Sequence, residues 1–515
     1  MPDWNRLDGE EDGDTLAEKK KEKAVQEGLA YLAGLAKYGE VLTLDRIAYM
    51  MEALGHPQLT YPVIHVAGTM GKGSTCRMLA EILQEAGLKT GLFSKPHLER
   101  YNERIMVQGR EIADTDLLAL IEQMKILARE TAEHVGHPTE FEMSTAMAFT
   151  HFAQVKVDVA VIETGLGGLW DSTNVVQPEV SVITPIGFDH MDRLGWTLPE
   201  IAEQKAGIIK PGRPVVLAPQ KEEVWPVLLQ EAARKGAHVI RLQDGNEGGN
   251  GGETGGETGR ETGSGDGGGI CGNSHGSSDS AATPAEEVRF WAKRWDLSGG
   301  CFDLAGADWC WSDLTVGLLG RHQIVNAAVA AATCHLLQRS GRPVSVDHVR
   351  DGLAKVRWPG RLEILAEKPQ VIIDGAHSID RFYALREAID DLLPGRRIIL
   401  VMGALAEKPV QEELALLLPK VAGIVCTQPA SGRTAPLPAA RLAEMVVAEM
   451  QKGSAGSRPD LPVWVCEKAW EAVELARKIA AADQVVLVTG SIYLIGEVRR
   501  AWFDNERNKP SPCRN

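Results

Sequence analysis

Glycines, a lysine and two hydroxyls fall together in HVAGTMGKGSTC, residues His65–Cys76. An apolar, β-leaning segment, Tyr61–Ala67, runs into them, and a helical pattern, Cys76–Ala86, runs out. Strand, glycine turn and helix in that order bring backbone N–H groups and a helix N-terminus to an anion. Gly68, Thr69, Gly71 and Gly73 form the turn. Lys72 supplies a point charge for phosphate, and Ser74 or Thr75 a hydroxyl. Only Thr69 and Met70 separate the first glycine from Gly71-Lys72, where four residues are usual. The expectation is a nucleotide-phosphate loop of irregular spacing; the bland alternative is a plain glycine turn.

Further polar residues stand at the ends of other strand-like runs. VDVAVIETGLGG puts Glu163 after an apolar run and before a glycine turn, where a second strand offers a carboxylate to Mg²⁺. SVITPIGFDH ends on Asp189-His190, and VIIDGAHS on Asp374 and His377. Asn326 in GRHQIVNAA and Arg361 in WPGRLE lie near a change of pattern. Each is weak alone, since most such histidines are structural or exposed. Together they lie at the carboxyl edges of two sheets, where a cleft between domains would hold a ligand. By composition Lys205, in TLPEIAEQKAGIIKPG, reads as an exposed helix lysine.

The elements that must place these residues alternate. Strand candidates are Val63–Ala67, Lys89–Phe93, Val157–Glu163, Val180–Thr184 and Pro214–Ala218, with helical patterns between them. That alternation predicts a mostly parallel, doubly wound sheet covered on both faces. Residues 1–25 form a charged extension, and 26–56 read as helices. The run from about Gly245 to Ser280 is almost all Gly, Ser, Thr, Glu and Asn; it reads as a disordered insertion. Val288–Trp295 and Trp309–Val316 then close the first domain. A helix from His322 and a second alternation, through Val371–Asp374, Arg397–Met402, Gly423–Thr427, Val463–Val465 and Gln484–Thr489, give a smaller Rossmann-like α/β domain. The boundary is placed near Gly317–Arg321, giving domains 26–318 and 319–515.

The bulk numbers narrow the function classes. Hydrophobic residues at 44% and charged residues at 24% fit an ordinary globular protein of 515 residues. A formal charge of −15 argues against a nucleic-acid backbone as the main partner, which needs basic stripes. No stretch approaches the ~20 apolar residues of a membrane span. The opening MPDWNRLDGEEDGD lacks the basic and apolar regions of a signal peptide. The eight cysteines include no CxxC pair, so zinc and a redox dithiol are not expected. The simplest expectation is a cytoplasmic protein with reduced thiols.

With these pieces in order, the chain resembles folylpolyglutamate synthase/dihydrofolate synthase, a branch of the Mur ligase family. The resemblance runs from about residue 26 to 503. Its markers are HVAGTMGKGSTC, KPHLERYNERI, TEFEMSTAMAF, ETGLGGLWDSTNVV, FDHMDRLGWTLPEIAEQKAGIIKPG, LLGRHQIVNAA, WPGRLE, DGAHS and TGSIYLIGEVR. It implies an ATP-dependent ligase that phosphorylates a carboxylate of dihydropteroate or folate and joins it to L-glutamate as an amide. Alternatives are a ligase acting on another acid, or an ATP-binding paralogue without catalysis. The resemblance further implies that Gly68–Ser74 cradle the phosphates with Lys72 on the transferring group. Glu163 and His190 would hold Mg²⁺, with Lys205 as a carbamate completing a second metal site. Asn326, Arg361 and Asp374 would bind nucleotide, and His377 would assist with the acyl phosphate or glutamate. A monomer is expected.

Several positions depart from the family pattern. Met70 replaces Asn, and Lys95 takes the place of a hydroxyl that often coordinates Mg²⁺, leaving Ser94 to take over. Leu169-Trp170-Asp171 replaces Arg-Leu-Asp, Ser378 replaces Asn, and Glu407-Lys408-Pro409 replaces Asp-Lys-Asp.

Overall fold

The computed structural model describes residues 13–35, 43–246, 285–408, 410–432, 434–452 and 460–507. Most of the Gly-rich run, from residue 247 on, lies outside them, as do 1–12 of the charged extension. The first sheet takes β1 (Val63–Ala67), β2 (Thr90–Phe93), β3 (Ile105–Val107), β4 (Arg110–Glu111), β5 (Val159–Glu163) and β6 (Val180–Ile183). It continues through β7 (Val215–Leu217), β8 (Val239–Asp244), β9 (Glu286–Asp296), β10 (Gly299–Ala305) and β11 (Cys310–Val316). The spatial order is β11-β10-β9-β8-β7-β6-β1-β5-β2-β3-β4. The pairs from β2 through β5, β1, β6, β7 and β8 to β9 are parallel, and both margins turn antiparallel.

β1 and β5 are buried along their whole length, as a strand covered on both faces must be. They pair in parallel at the centre, Val66 opposite Glu163. Their carboxyl ends therefore open at the same edge, which is where a doubly wound sheet binds its ligand.

The second sheet holds β12 (Glu363–Glu367), β13 (Gln370–Ile373), β14 (Ile398–Met402), β15 (Val421–Cys426), β16 (Val463–Val465) and β17 (Val485–Thr489) in the order β12-β13-β17-β14-β15-β16. All pairs but β12–β13 are parallel. Both expected sheets are thus present. The helices Arg321–Arg339 and Val346–Lys355 bury Ile324, Ala327, Ala331, Val349 and Leu353 in one core with Cys76, Leu79 and Leu83 of the helix Lys72–Glu85. The boundary read at 318/319 therefore precedes two helices that pack with the first sheet. The shared apolar cluster sets Asn326 of the first of these helices beside Gly71.

Candidate active site

The loop after β1 is shaped by two glycines at which a side chain would be strained and crowded. Gly68 sits at φ +143, and a Cβ there would lie 1.9 Å from Thr184 Oγ1. Gly71 sits at φ +81, and its Cβ would lie 2.1 Å from Asn326 Oδ1. The helix Lys72–Glu85 starts directly after Gly71. Thr69 N and Met70 N both donate to Pro185 O, at 3.0 and 3.1 Å, and Thr69 Oγ1 donates to Gly187 O at 3.0 Å. The glycine loop is thereby tied to the loop after β6. Lys72 Nζ donates to Gly68 O at 2.9 Å and to Thr69 O at 3.3 Å. Burial lowers its pKa, and the nearby Glu163 carboxylate opposes that shift. Gly73 faces Glu163 Oε2, and Ser74 is buried in the first helical turn.

Glu163 ends β5, 4% exposed, and its Oε2 accepts from the backbone N–H of Lys95 at 3.2 Å. Burial raises its pKa; Lys72 is the first group to counter it. Lys205 lies on the helix Leu198–Ala206, whose start is fixed by a reciprocal Thr197–Glu200 capping box. Composition reads this lysine as exposed, but the structure buries it to 3% exposure with Nζ donating to Gly68 O at 2.8 Å. The helix packs its Lys205 face onto the sheet edge, which residue type alone does not reveal. Burial, then the neighbouring Lys72 charge, pushes the ammonium down to about 7. Two lysines thus share one carbonyl. His190 takes a left-handed backbone at φ 49, with Nε2 3.7 Å from Asp189 Oδ1.

From the second sheet, His377 Nδ1 lies 2.8 Å from Gly375 O, so that nitrogen carries the proton and donates. Burial and the adjacent Arg381 hold its pKa well below the ordinary histidine value. The Asp374 carboxylate is engaged by its own turn, accepting from Leu362 N at 3.0 Å and Ala376 N at 2.9 Å. Arg361 NH1 donates to Gly360 O at 3.2 Å.

A cavity of about 610 Å³ opens between the two sheets. Of the residues singled out in the sequence, Gly68, Lys72, Glu163, His190, Lys205 and His377 line it, together with Asp189. Thr69, Gly71, Gly73, Ser74, Asn326, Arg361 and Asp374 do not line it. Ser94 is not brought to it. Ser94 is 3% exposed, and its N–H donates to Arg104 O at 3.1 Å; its neighbour Lys95 reaches the cavity instead. Both residues lie past the end of β2 at Phe93, in the irregular turn leading to Pro96, and that turn sends Lys95 to the cavity. Lys95 Nζ sits 4.2 Å from the centre of the Phe141 ring, and burial pushes it down to about 8.

Sequence reasoning assigned no role to a second polar cluster on the wall. Arg104 NH1 donates to Glu140 Oε1 at 2.5 Å, Tyr101 OH to the same oxygen at 3.0 Å, and Arg104 Nε to His97 Nδ1 at 3.0 Å. Arg46 pairs with Glu142 at 3.1 Å beside it. The segments YNERI and TEFEM carried the signal, but their charges meet only in three dimensions.

Among the described residues no group of three His, Cys, Asp or Glu is arranged to hold a metal. Glu163 and His190 nevertheless face the same cavity as Lys72. The Glu163 carboxylate fits Mg²⁺, which binds through one or two carboxylates and completes its shell with phosphate oxygens and water; His190 would add a nitrogen donor beside it.

Two family models match the chain: the Mur ligase middle domain over residues 66–251, and the Mur ligase glutamate ligase domain over residues 360–492. The chain is 35% identical over 483 residues to the dihydrofolate synthase/folylpolyglutamate synthase of Bacillus subtilis, covering 93% of this chain and 99% of that protein. The folylpolyglutamate synthase of Mycobacterium tuberculosis, solved with ADP and AMPPCP, matches with a TM-score of 0.76 at 30% identity, over 96% of this chain and all of that one. E. coli FolC, solved with DHPP and ADP, matches with a TM-score of 0.74 at 29% identity, over 94% of this chain and 98% of that one.

Proposed function

This chain belongs to the Mur ligase family, in its folylpolyglutamate/dihydrofolate synthase branch, and we propose how its cavity carries out ATP-dependent glutamate ligation. The acid substrate's carboxylate oxygen attacks the γ-phosphorus of ATP, and the bond to the ADP oxygen breaks. The acyl phosphate then meets the neutral amine of L-glutamate. The amine attacks the acyl carbon, the bond to the phosphate oxygen breaks, and an amide, phosphate and one proton are released. The acid is dihydropteroate, the γ-carboxyl of a folate, or both.

The chain's residues answer the electrostatic problem of bringing anions together. The backbone N–H groups around Gly71 and the helix beginning at Lys72 face the phosphates, and Lys72 Nζ leaves its two carbonyl partners for the transferring group. Asn326 braces Gly71 from behind. Arg361 and Asp374 fix the turn that brings the second sheet to the nucleotide. Glu163 and His190 are the residues that would hold Mg²⁺, which when bound neutralises charge on the transferring phosphoryl group. With Nδ1 donating to Gly375 O, His377 offers an unprotonated Nε2 that can accept a hydrogen bond from the incoming amine.

Lys205 has a part that its burial supports. An amine titrating at about 7 is available to add CO₂, losing one proton and becoming a carbamate anion. That exchanges a cation repelling Lys72 for an oxygen donor facing it.

The observation that carries this reading is the convergence of Lys72 and Lys205 on Gly68 O in a cavity that Glu163 and His377 also line. The test is ADP release with dihydropteroate and with reduced folates, each with L-glutamate. Release with either acid, dependent on glutamate, supports the assignment and says which reaction occurs. Turnover only with a UDP-sugar acid would move the chain to another substrate, and ATP binding without turnover would mark a non-catalytic paralogue.

A further inference from the structure

Arg381 stands in the first turn of the helix Ile379–Leu392 and lines the cavity from the second sheet. Its helix lies against the loop after β6: a Cβ on Gly187 would come 2.5 Å from Asp380 Oδ2, and Thr69 Oγ1 donates to Gly187 O in the same loop. The guanidinium is partly buried. Its side-chain neighbour is His377 Nδ1, 3.4 Å from NH1. That nitrogen already spends its proton on Gly375 O, so it gives Arg381 no acceptor. Among the described residues no carboxylate comes within 4.0 Å of Arg381. Charges of both signs surround it at longer range: the cations Lys72 and Arg361, and the carboxylates Asp189 and Asp374. Of those two acids, Asp374 is already engaged by Leu362 N and Ala376 N, and Asp189 lies 3.7 Å from His190.

A partly buried guanidinium that lines a cavity calls for an anion, and this fold supplies none at bonding distance. The planar fork suits a carboxylate or a phosphoryl group, which it can hold through two parallel hydrogen bonds. We propose that Arg381 clamps a substrate oxyanion at the transfer point, either a carboxylate of the incoming amino acid or the phosphoryl group. The amino-acid carboxylate is the better fit. The phosphates already have Lys72 and a helix N-terminus on the first sheet, whereas Arg381 approaches from the opposite wall beside His377. This assignment rests on the ligase reading above.

The test measures two affinities that do not require turnover: AMPPCP for the free enzyme, and L-glutamate for the AMPPCP complex, both by calorimetry. Arg381→Ala and Arg381→Lys are compared with the wild-type chain, and thermal melts check that each variant is folded; Arg381→Gln replaces any that is not. Loss of one charge-assisted contact predicts about a 10- to 100-fold weakening for the alanine variant. The lysine variant falls between, since it keeps the charge and loses the fork. Weakened glutamate binding with AMPPCP affinity within about 3-fold assigns the carboxylate. Weakened AMPPCP binding assigns the phosphoryl group. If neither affinity moves more than about 3-fold, Arg381 only balances Asp189 and the proposal is overturned, whatever happens to kcat. ADP release by the wild-type enzyme is read separately, so failure of the ligase reading shows there and not in the Arg381 comparison.

Discussion

Replacing Lys205 with methionine should make the protein more stable and nearly inactive. Lys205 is 3% exposed and titrates at about 7, against 10.5 for an unperturbed lysine. The unfolded chain binds the extra proton throughout that window, so stability contributed by this site rises as pH goes from 7 to 10.5. At pH 7.5 the buried amine is about three-quarters neutral, where an exposed lysine is neutral about once in a thousand. Keeping it buried then costs about 4 kcal/mol relative to water. Methionine fills similar space with no charge. The lost bond to Gly68 O, worth about 1 kcal/mol, is partly covered because Lys72 still donates to the same oxygen. A net gain of about 3 kcal/mol follows for Lys205→Met. Urea unfolding at pH 7.5 in bicarbonate-free buffer measures it, alongside glutamate-dependent ADP release. Activity should fall at least about 100-fold, a barrier change near 3 kcal/mol. Lys205→Ala should be partly rescued by acetate or formate. An active Lys205→Met enzyme would remove the carbamate from the mechanism. A less stable one would refute the reasoning about burial.

Gly71→Ala should weaken ADP binding at least about tenfold by calorimetry, since the left-handed backbone costs about 1–2 kcal/mol and the new Cβ strikes Asn326; unchanged affinity would detach the loop from the nucleotide. Glu413 is fully buried on the helix Val410–Leu417, neither carboxylate oxygen has a hydrogen-bond partner among the described residues, and burial pushes it up to about 7. The native state therefore holds a proton that the unfolded chain has lost between pH 4.5 and 7, and stability falls as pH rises across that window. Glu413→Leu should remove this slope, gaining about 3 kcal/mol more at pH 8 than at pH 4 in urea unfolding; equal gains at both would contradict the burial.

The loop at Gly68–Ser74 was legible because glycine, lysine and hydroxyl positions act through local backbone geometry. β1, β5 and β17 were legible because a strand buried on both faces is written as an unbroken apolar run. β10 was missed: it opens on Gly299-Gly300 and carries Asp303 in its short apolar run, so its strand character comes from pairing with β9 and β11. Lys205 illustrates the larger limit. Its residue type says surface, and only the docking of its helix against Gly68 makes it a depressed amine. Ser94 and Lys95 illustrate another. The resemblance drew attention to the right segment, but which of two adjacent side chains faces the cavity is set by the irregular turn after β2, which periodicity does not describe. Arg381 was invisible for a third reason: a lone arginine in a helix acquires meaning only from the carboxylates that are not near it.

The central claim, transfer through an acyl phosphate, is tested by oxygen labelling. The acid substrate is supplied with ¹⁸O in both carboxylate oxygens, and the phosphate and amide products are weighed by mass spectrometry. If the carboxylate attacks the γ-phosphorus, each phosphate released carries one labelled oxygen and the amide keeps the other. Unlabelled phosphate accompanying amide formation would contradict the account.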